Sequence, residues 1–434
     1  MSRILDLFLN LVAATIQIPL LLLHTLGLEN WLASFQSPFN FPDNVLPRSP
    51  PTSSSSTILN TTRYLHNQIV DAVDIVQIVH LHGYKVHEHV VQTKDGYLLS
   101  IHRIVSQSAP KNKPVVYMHH GLLTNSELFV LGDTTSRCLP FRLVDLGYDV
   151  WLGNNRGNKY SRKHLTLSSR DVKFWDYSLD EFAMFDIPDT IDYILRATDQ
   201  PDLTYIGFSQ GSAQCLAALS LDRDLNSKIK YFIGLSPAMV PKGLNHPVLS
   251  FFVNSAANLM YRLFGRRAIL PSVVFWQKLM GPALYELVVD RSLVFLFGWE
   301  SRNVTKSQKR VGYAHMFSPS SVKSVIHWFQ IISSGRFQMF DEGGTSGSRL
   351  VYLSGAASLK TNRVAPFPTP TITTPILLIY GKSDSLVDID NTLSQLTCPV
   401  DVVGIDKYEH MDTLWAADVE DKVFQLVTKT LASI

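Results

Sequence analysis

Apolar and polar positions fall into two different rhythms along this chain. Val86–Val91 and Tyr97–Val105 alternate or run apolar around Lys94-Asp95-Gly96, a hairpin signal. Pro114–His119, Gly147–Leu152, Leu203–Phe208, Tyr231–Leu235, Pro375–Tyr380 and Val400–Ile405 are short runs of mostly apolar residues, as buried strands require. Between them, Ser178–Leu195 places Leu179, Phe182, Phe185, Ile187, Ile191 and Ile194 at helical spacing. Ser212–Ser220 reads as a small-residue helix, and a last helix starts near Asp418. Strands alternate with helices from about Asp71 to residue 236 and again from about 370 onward. That predicts an α/β fold, a mostly parallel sheet with helices on both faces.

The alternation breaks between 237 and 370. This aromatic stretch reads as a mainly helical cap inserted into the α/β core. The predicted layout is an apolar segment (1–30), a Pro/Ser-rich linker (31–70), core (71–236), cap (237–370) and core again (371–434). Leu11–Leu28 carries no charged residue, which suits a retained membrane anchor; a cleaved signal peptide or a buried helix are the alternatives. The linker holds Asn60-Thr61-Thr62, a glycan-acceptor triplet, and Asn303-Val304-Thr305 is a second.

The 434 residues carry 39 Lys+Arg against 37 Asp+Glu, which excludes a strongly basic nucleic-acid binder. With 46% hydrophobic residues the chain is no disordered polyelectrolyte. Three cysteines, Cys138, Cys215 and Cys398, are too few for a disulfide scaffold and too dispersed for a structural zinc site.

The sharpest chemical signal is Gly207-Phe208-Ser209-Gln210-Gly211, set between a strand and a helix. A turn that tight needs small neighbours, hence the glycines, and it lifts a serine hydroxyl clear of the sheet. In this architecture a serine nucleophile is followed in the chain by its acid and then its base. Four histidines follow Ser209. His246, His315 and His327 lie in the cap, whereas His410 follows the last strand and is the expected base. Asp384, just past the strand PILLIY, is the expected acid, with Asp388 the runner-up. The oxyanion hole would use the backbone amides of Gln210 and of Leu122, in the loop after PVVYMH where Gly121 allows the turn. His119-His120 reads as a packed strand-end pair, and His80/His82 and His87/His89 as alternating strand positions; no metal site is expected from any of them. Arg156 and its neighbours read as fixing a loop beside the sheet.

With these residues in view, the chain resembles the acid lipase family of α/β-hydrolases, which includes gastric and lysosomal acid lipases and fungal membrane-anchored steryl ester hydrolases. The matching stretches are HHGLL (119–123), GYDVWLGNNRGNKYSRKH (147–164), FWDYSLDEFAMFDIPDTIDYI (174–194), GFSQG (207–211), GKSDSLVD (381–388) and YEHMD (408–412). The likeness spans roughly 74–430 and implies an α/β-hydrolase core with a helical cap, acting on neutral-lipid esters without a cofactor. Residue by residue it implies Ser209, Asp384 and His410 as triad and Leu122 and Gln210 as oxyanion donors. The apolar N-terminal segment followed by a Ser/Pro linker resembles the fungal anchored branch. The cap disulfide of the secreted branch is missing, since all three cysteines lie outside 237–370. The expectation is therefore a membrane-anchored steryl ester hydrolase at the endoplasmic reticulum or lipid droplets. A triacylglycerol lipase is the alternative; an acyltransferase and a silent membrane scaffold stand further off. Phe251, Phe252, Phe275 and Trp276 are candidate linings for an acyl chain.

Overall fold

The computed structural model describes residues 64–105, 113–243, 250, 253, 257–270, 273–342 and 364–434. The apolar segment 1–30, Asn60, His246, Phe251 and Phe252 lie outside the described residues. Among those described, no helix is long and apolar enough to cross a membrane.

The architecture is α/β, built on a nine-stranded sheet. Its strands are β1 (Lys85–Gln92), β2 (Tyr97–Val105), β3 (Val115–His119), β4 (Asp149–Leu152), β5 (Lys163–His164), β6 (Leu203–Phe208) and β7 (Ile229–Leu235). A separate ribbon pairs β8 (Ala268–Ile269) with β9 (Ser320–Ser321), and β10 (Ile376–Gly381) and β11 (Val400–Ile405) complete the large sheet. The order is β1-β2-β4-β3-β6-β7-β10-β11, with β5 on β2. The β1–β2 hairpin and the β2–β4 pair are antiparallel; every pairing from β4 to β11 is parallel. Every residue of β3, β4 and β6 is buried, as parallel strands covered on both faces must be. Alternation divides them between two cores. Val116, Met118, Ile206, Phe208, Ile233 and Leu235 pack to one face, and Val115, Tyr117, Tyr205 and Phe232 to the other.

The structure differs from the periodicity in three places. The helix expected over 178–195 is interrupted: a π turn spans Phe182–Asp186 before the helix Ile187–Thr198. Pro188 cannot donate a backbone bond and its ring crowds the preceding turn, which the wider turn relieves. The run IVQIVHL forms a helix, Ile75–Leu81, although β-branched residues favour strands. Asp74 caps it by accepting from Gln77 N, and Ile75, Ile78 and Val79 bury against the core. His80 is thus helical, and His82 is a buried helix end. Third, a helix already occupies 64–71, across the end of the stretch expected as linker (31–70), because Leu65 and Ile69 share a face that packs on the core.

Between β7 and β10 the described chain is mainly helical: Ala257–Phe264, Val273–Phe297 with a break at Gly281, Lys306–Tyr313 and Val322–Ser334. Phe275 and Trp276 fall on the second of these.

Candidate active site

β6 ends directly beneath the site. Ser209 follows it with φ 54° and ψ −120°, a backbone conformation sparsely populated by residues bearing a Cβ. The surroundings hold it there. Ser209 N donates to Leu235 O at 3.0 Å, and Ser212 N donates to Ser209 O at 3.0 Å. The two glycines are needed for space. A Cβ on Gly207 would lie 2.6 Å from Ser212 N, and one on Gly211 would press on the carbonyls of His119 and His120. The helix Gln210–Leu221 then runs away from the serine with its N-terminus toward the site.

The loop after β3 crosses over the serine. A Cβ on Gly121 would stand 3.0 Å from Ser209 Cβ and 3.3 Å from its Oγ, so this backbone lies against the hydroxyl. Leu122 follows, half-buried, and Leu123 turns with φ 59°. Gln210 and Leu122, the two expected amide donors, therefore flank Ser209 from its own helix and from the β3 loop.

The acid and base come from the strands beyond. Asp384 leaves β10 through a tight turn, and His410 follows β11. His410 Nδ1 lies 2.7 Å from Asp384 Oδ2, and both residues are buried, at 4% and 3% exposure. The carboxylate can only accept, so Nδ1 carries the proton of this bond. Asp384 Oδ1 accepts from Leu386 N at 2.9 Å, which fixes the carboxylate plane. Phe208 sits beside the imidazole at 5.2 Å between centroids. Ser236 Oγ, at the end of β7, donates to His410 O at 2.7 Å.

The competing residues are engaged elsewhere. Asp388 caps the helix Ile389–Ser394 and accepts from Asn391 N at 3.1 Å. His315 Nε2 bonds Ile69 O and His327 Nε2 bonds Gln338 O. His119 and His120 are wholly buried struts. His119 Nδ1 meets Tyr117 Oη at 2.7 Å and its Nε2 meets Asn155 Oδ1 at 2.8 Å. Burial pushes His119 down to about 4 and His120 well below the ordinary histidine value, so both stay neutral at pH 7. Among the described residues no group of three His, Cys, Asp or Glu side chains could hold a metal ion.

The GNNRGNKYSR segment frames the site without touching the triad. Asn155 Nδ2 donates to Gln214 Oε1, and Arg156 pairs with Asp186 from the π turn and with Asp95 from the β1–β2 hairpin. Burial alone would depress the Arg156 pKa; the two carboxylates more than offset it and hold the guanidinium charged. Two tryptophans between β7 and β10 meet the site with no signal in the local sequence. Trp328 Nε1 donates to Gln210 Oε1 at 2.6 Å, and Trp299 lies flat against His410. Nothing in local spacing marks either, because both contacts bridge segments far apart in the chain.

A mostly parallel sheet with a strained serine after its central strand, and a buried His–Asp pair beyond, defines the α/β-hydrolase class. The α/β hydrolase fold model matches residues 114–417, and a partial α/β-hydrolase lipase region matches 75–133. A Schizosaccharomyces pombe protein named as a probable lipase is 47% identical over 372 residues, covering 86% of this chain and 82% of its own length. Lipase member K of Homo sapiens is 33% identical, covering 81% and 89%, and the gastric triacylglycerol lipase of Rattus norvegicus is 32% identical, covering 83% and 92%. The chain belongs to the lipases of the α/β-hydrolase fold, and it is a carboxylic ester hydrolase.

Proposed function

We propose that the chain is a serine hydrolase of neutral-lipid esters, foremost steryl esters, working through an acyl-enzyme. The observation that carries the chemistry is the buried 2.7 Å His410–Asp384 pair beyond the strained serine turn. Ser209 Oγ attacks the ester carbonyl carbon as His410 Nε2 takes its proton. The amides of Leu122 and Gln210 receive the oxyanion, and Asp384 holds the tautomer and stabilises the imidazolium. Collapse breaks the bond to the alcohol oxygen, which leaves with the proton from His410. Water, deprotonated by the same nitrogen, then attacks the acyl-enzyme and releases the fatty acid and free Ser209. No step calls on a cofactor or metal.

The division into core (71–236, 371–434) and cap (237–370) belongs to the same reading: the cap would cover the acyl chain and the alcohol. Uncharged Leu11–Leu28 supports residence at a membrane or lipid-droplet surface, where neutral esters collect. The N-terminal organisation favours a steryl ester as the substrate. The 32% identity to a gastric triacylglycerol lipase favours glycerol esters as the second reading.

The experiment is a competition. Full-length protein and its Ser209→Ala variant receive droplets of steryl ester mixed with triacylglycerol, and both esters are quantified over time. Faster loss of steryl ester, seen only with Ser209 present, is the expected result. Faster loss of triacylglycerol would leave the mechanism standing and overturn the substrate. Equal activity of Ser209→Ala would overturn the mechanism.

A further inference from the structure

The stretch just past the helix Val273–Phe297 lies along the loop bearing His410. Trp299 stacks on the imidazole with ring centroids 4.9 Å apart and planes 8° from parallel. Phe297 stacks on the indole of Trp299 at 4.4 Å and 22°, so Trp299 is itself supported. Trp299 Nε1 donates to Ser385 Oγ at 3.2 Å, and Ser385 Oγ donates to Phe297 O at 3.0 Å. Ser385 is the neighbour of Asp384. One aromatic stack thus registers against the base and against the residue next to the acid.

The backbone after Trp299 continues the attachment. Glu300 N and Ser301 N donate to the two carboxylate oxygens of Glu409, at 3.0 and 2.8 Å. Asn303 Nδ2 donates to Lys407 O at 2.7 Å and to Asp412 Oδ2 at 2.8 Å, one residue on each side of His410. Ala417 N donates to Asn303 O at 2.9 Å. A run of seven consecutive residues, 297–303, therefore grips residues 407–412 through one ring stack and four side-chain-mediated bonds.

We infer that Phe297–Asn303 is the positioning clamp of the general base, with Trp299 orienting the imidazole and Asn303 pinning its loop. This rests on the triad reading above. First, a base transfers a proton efficiently only when its nitrogen is held in line with the hydroxyl, and loop residues hold such geometry poorly unless packed and bonded from outside. Second, the imidazole acquires positive charge as Ser209 loses its proton. The face of an indole attracts a cation, so the stack is strengthened at that moment. Trp299 and Asn303 act through His410 and are positioning residues. A consequence concerns Asn303 itself, which opens an Asn-Val-Thr triplet. Both of its amide hydrogens are used in the clamp, and a glycan would replace one of them. The clamp requires that Asn303 remain unmodified.

The test compares Trp299→Phe, Trp299→Leu, Asn303→Ala and Ser209→Ala with the full-length wild type. The readouts are kcat and KM on a soluble p-nitrophenyl ester, the rate of labelling by a fluorophosphonate, and the thermal midpoint. Trp299→Leu is expected to lower kcat and the labelling rate by about tenfold to a hundredfold with KM little changed, as misplacement of a reacting group does. Trp299→Phe keeps a ring face and is expected to recover most of that loss. Asn303→Ala is expected to lower kcat a few-fold, again without a matching rise in KM. A folded Trp299→Leu protein with wild-type kcat, or an effect confined to KM, would overturn the clamp. If Trp299→Leu does not fold, Asn303→Ala decides by the same rule. Labelling of Ser209→Ala at the wild-type rate would instead overturn the triad reading.

Discussion

Replacing Arg156 by methionine tests how the framing segment is held. Arg156 is 1% exposed and Asp186 is 0% exposed. The guanidinium meets Asp186 Oδ1 at 2.6 Å and Asp95 Oδ2 at 2.5 Å, and stands 4.0 Å from the centre of the Tyr97 ring. Methionine fills much of the volume and removes the charge. Asp186 is then a buried carboxylate without its cation, a defect that costs about 3–5 kcal/mol, with roughly 0.5–2 kcal/mol more from the lost ring contact. An unpaired buried carboxylate has a raised pKa in the folded state, so its contribution is favourable below the unfolded value near 4 and is lost as pH rises through the folded one. The deficit of Arg156→Met relative to wild type is therefore larger at pH 8 than at pH 5. Urea unfolding at both pH values, with m compared as well as the midpoint, measures it. Adding Asp186→Leu removes the stranded charge and should recover a large part of the loss. A deficit below about 1 kcal/mol at pH 8, or a double variant no better than the single one, would refute this account of the pair. The folded fraction of Arg156→Met should keep kcat within a few-fold, since the partners of the guanidinium are the carboxylates of Asp95 and Asp186 and the rings of Tyr97, Tyr177 and Phe185, and Ser209, Asp384 and His410 are not among them.

Other expectations can be checked in the same protein. Asp384→Asn leaves a neutral partner that no longer dictates the tautomer, and kcat should fall by about 10⁴ while the fold persists, read by ester turnover beside circular dichroism. Gly207→Ala places a methyl group 2.6 Å from Ser212 N, so the turn must shift; activity should fall sharply and fluorophosphonate labelling with it. Asp412 is 1% exposed, and burial raises its carboxyl to about 6. The folded protein binds that proton more tightly than the unfolded chain, so its stabilising contribution is full below pH 4 and is lost as pH rises through 6. Asp412→Asn should gain on wild type between pH 4.5 and 7.5 by on the order of 2–3 kcal/mol, measured by urea midpoints.

The sheet was legible because parallel strands must be apolar throughout, and runs such as Val115–His119 and Leu203–Phe208 fit no other use. Ser209, Asp384 and His410 stood out as a candidate triad because the serine turn needs glycine on both sides and the chain order narrows the choice of acid and base, and the structure brings Asp384 and His410 within 2.7 Å. The helix Ile75–Leu81 was not legible, since its β-branched composition argues for a strand and only Asp74 and the core beneath decide otherwise. The π turn hid for a related reason: Pro188 sits within a regular apolar spacing, and the insertion shows only in the direction Asp186 points. Trp299 and Trp328 carry no local signature at all, and the Asn-Val-Thr triplet that marks Asn303 says nothing of the contacts it makes. Their roles arise from contacts with residues 100 or more positions away, as in the Trp299–His410 stack and the bond between Trp328 and Gln210, 118 residues apart.

The order of strands has a consequence for how such a molecule is made. The bond from Ser236 to His410 joins residues 174 positions apart, and closing a flexible loop of that length costs about 5 kcal/mol in chain entropy. The pairings of β10 with β7 and β11 help offset that cost, and on the triad proposed above Ser209 has neither acid nor base until they form. A ribosome-bound chain would therefore present a finished nucleophile turn that cannot yet attack anything. On the triad proposed above, the esterase stays harmless until residues 384–410 have reached the sheet, and a product truncated before His410 never becomes armed.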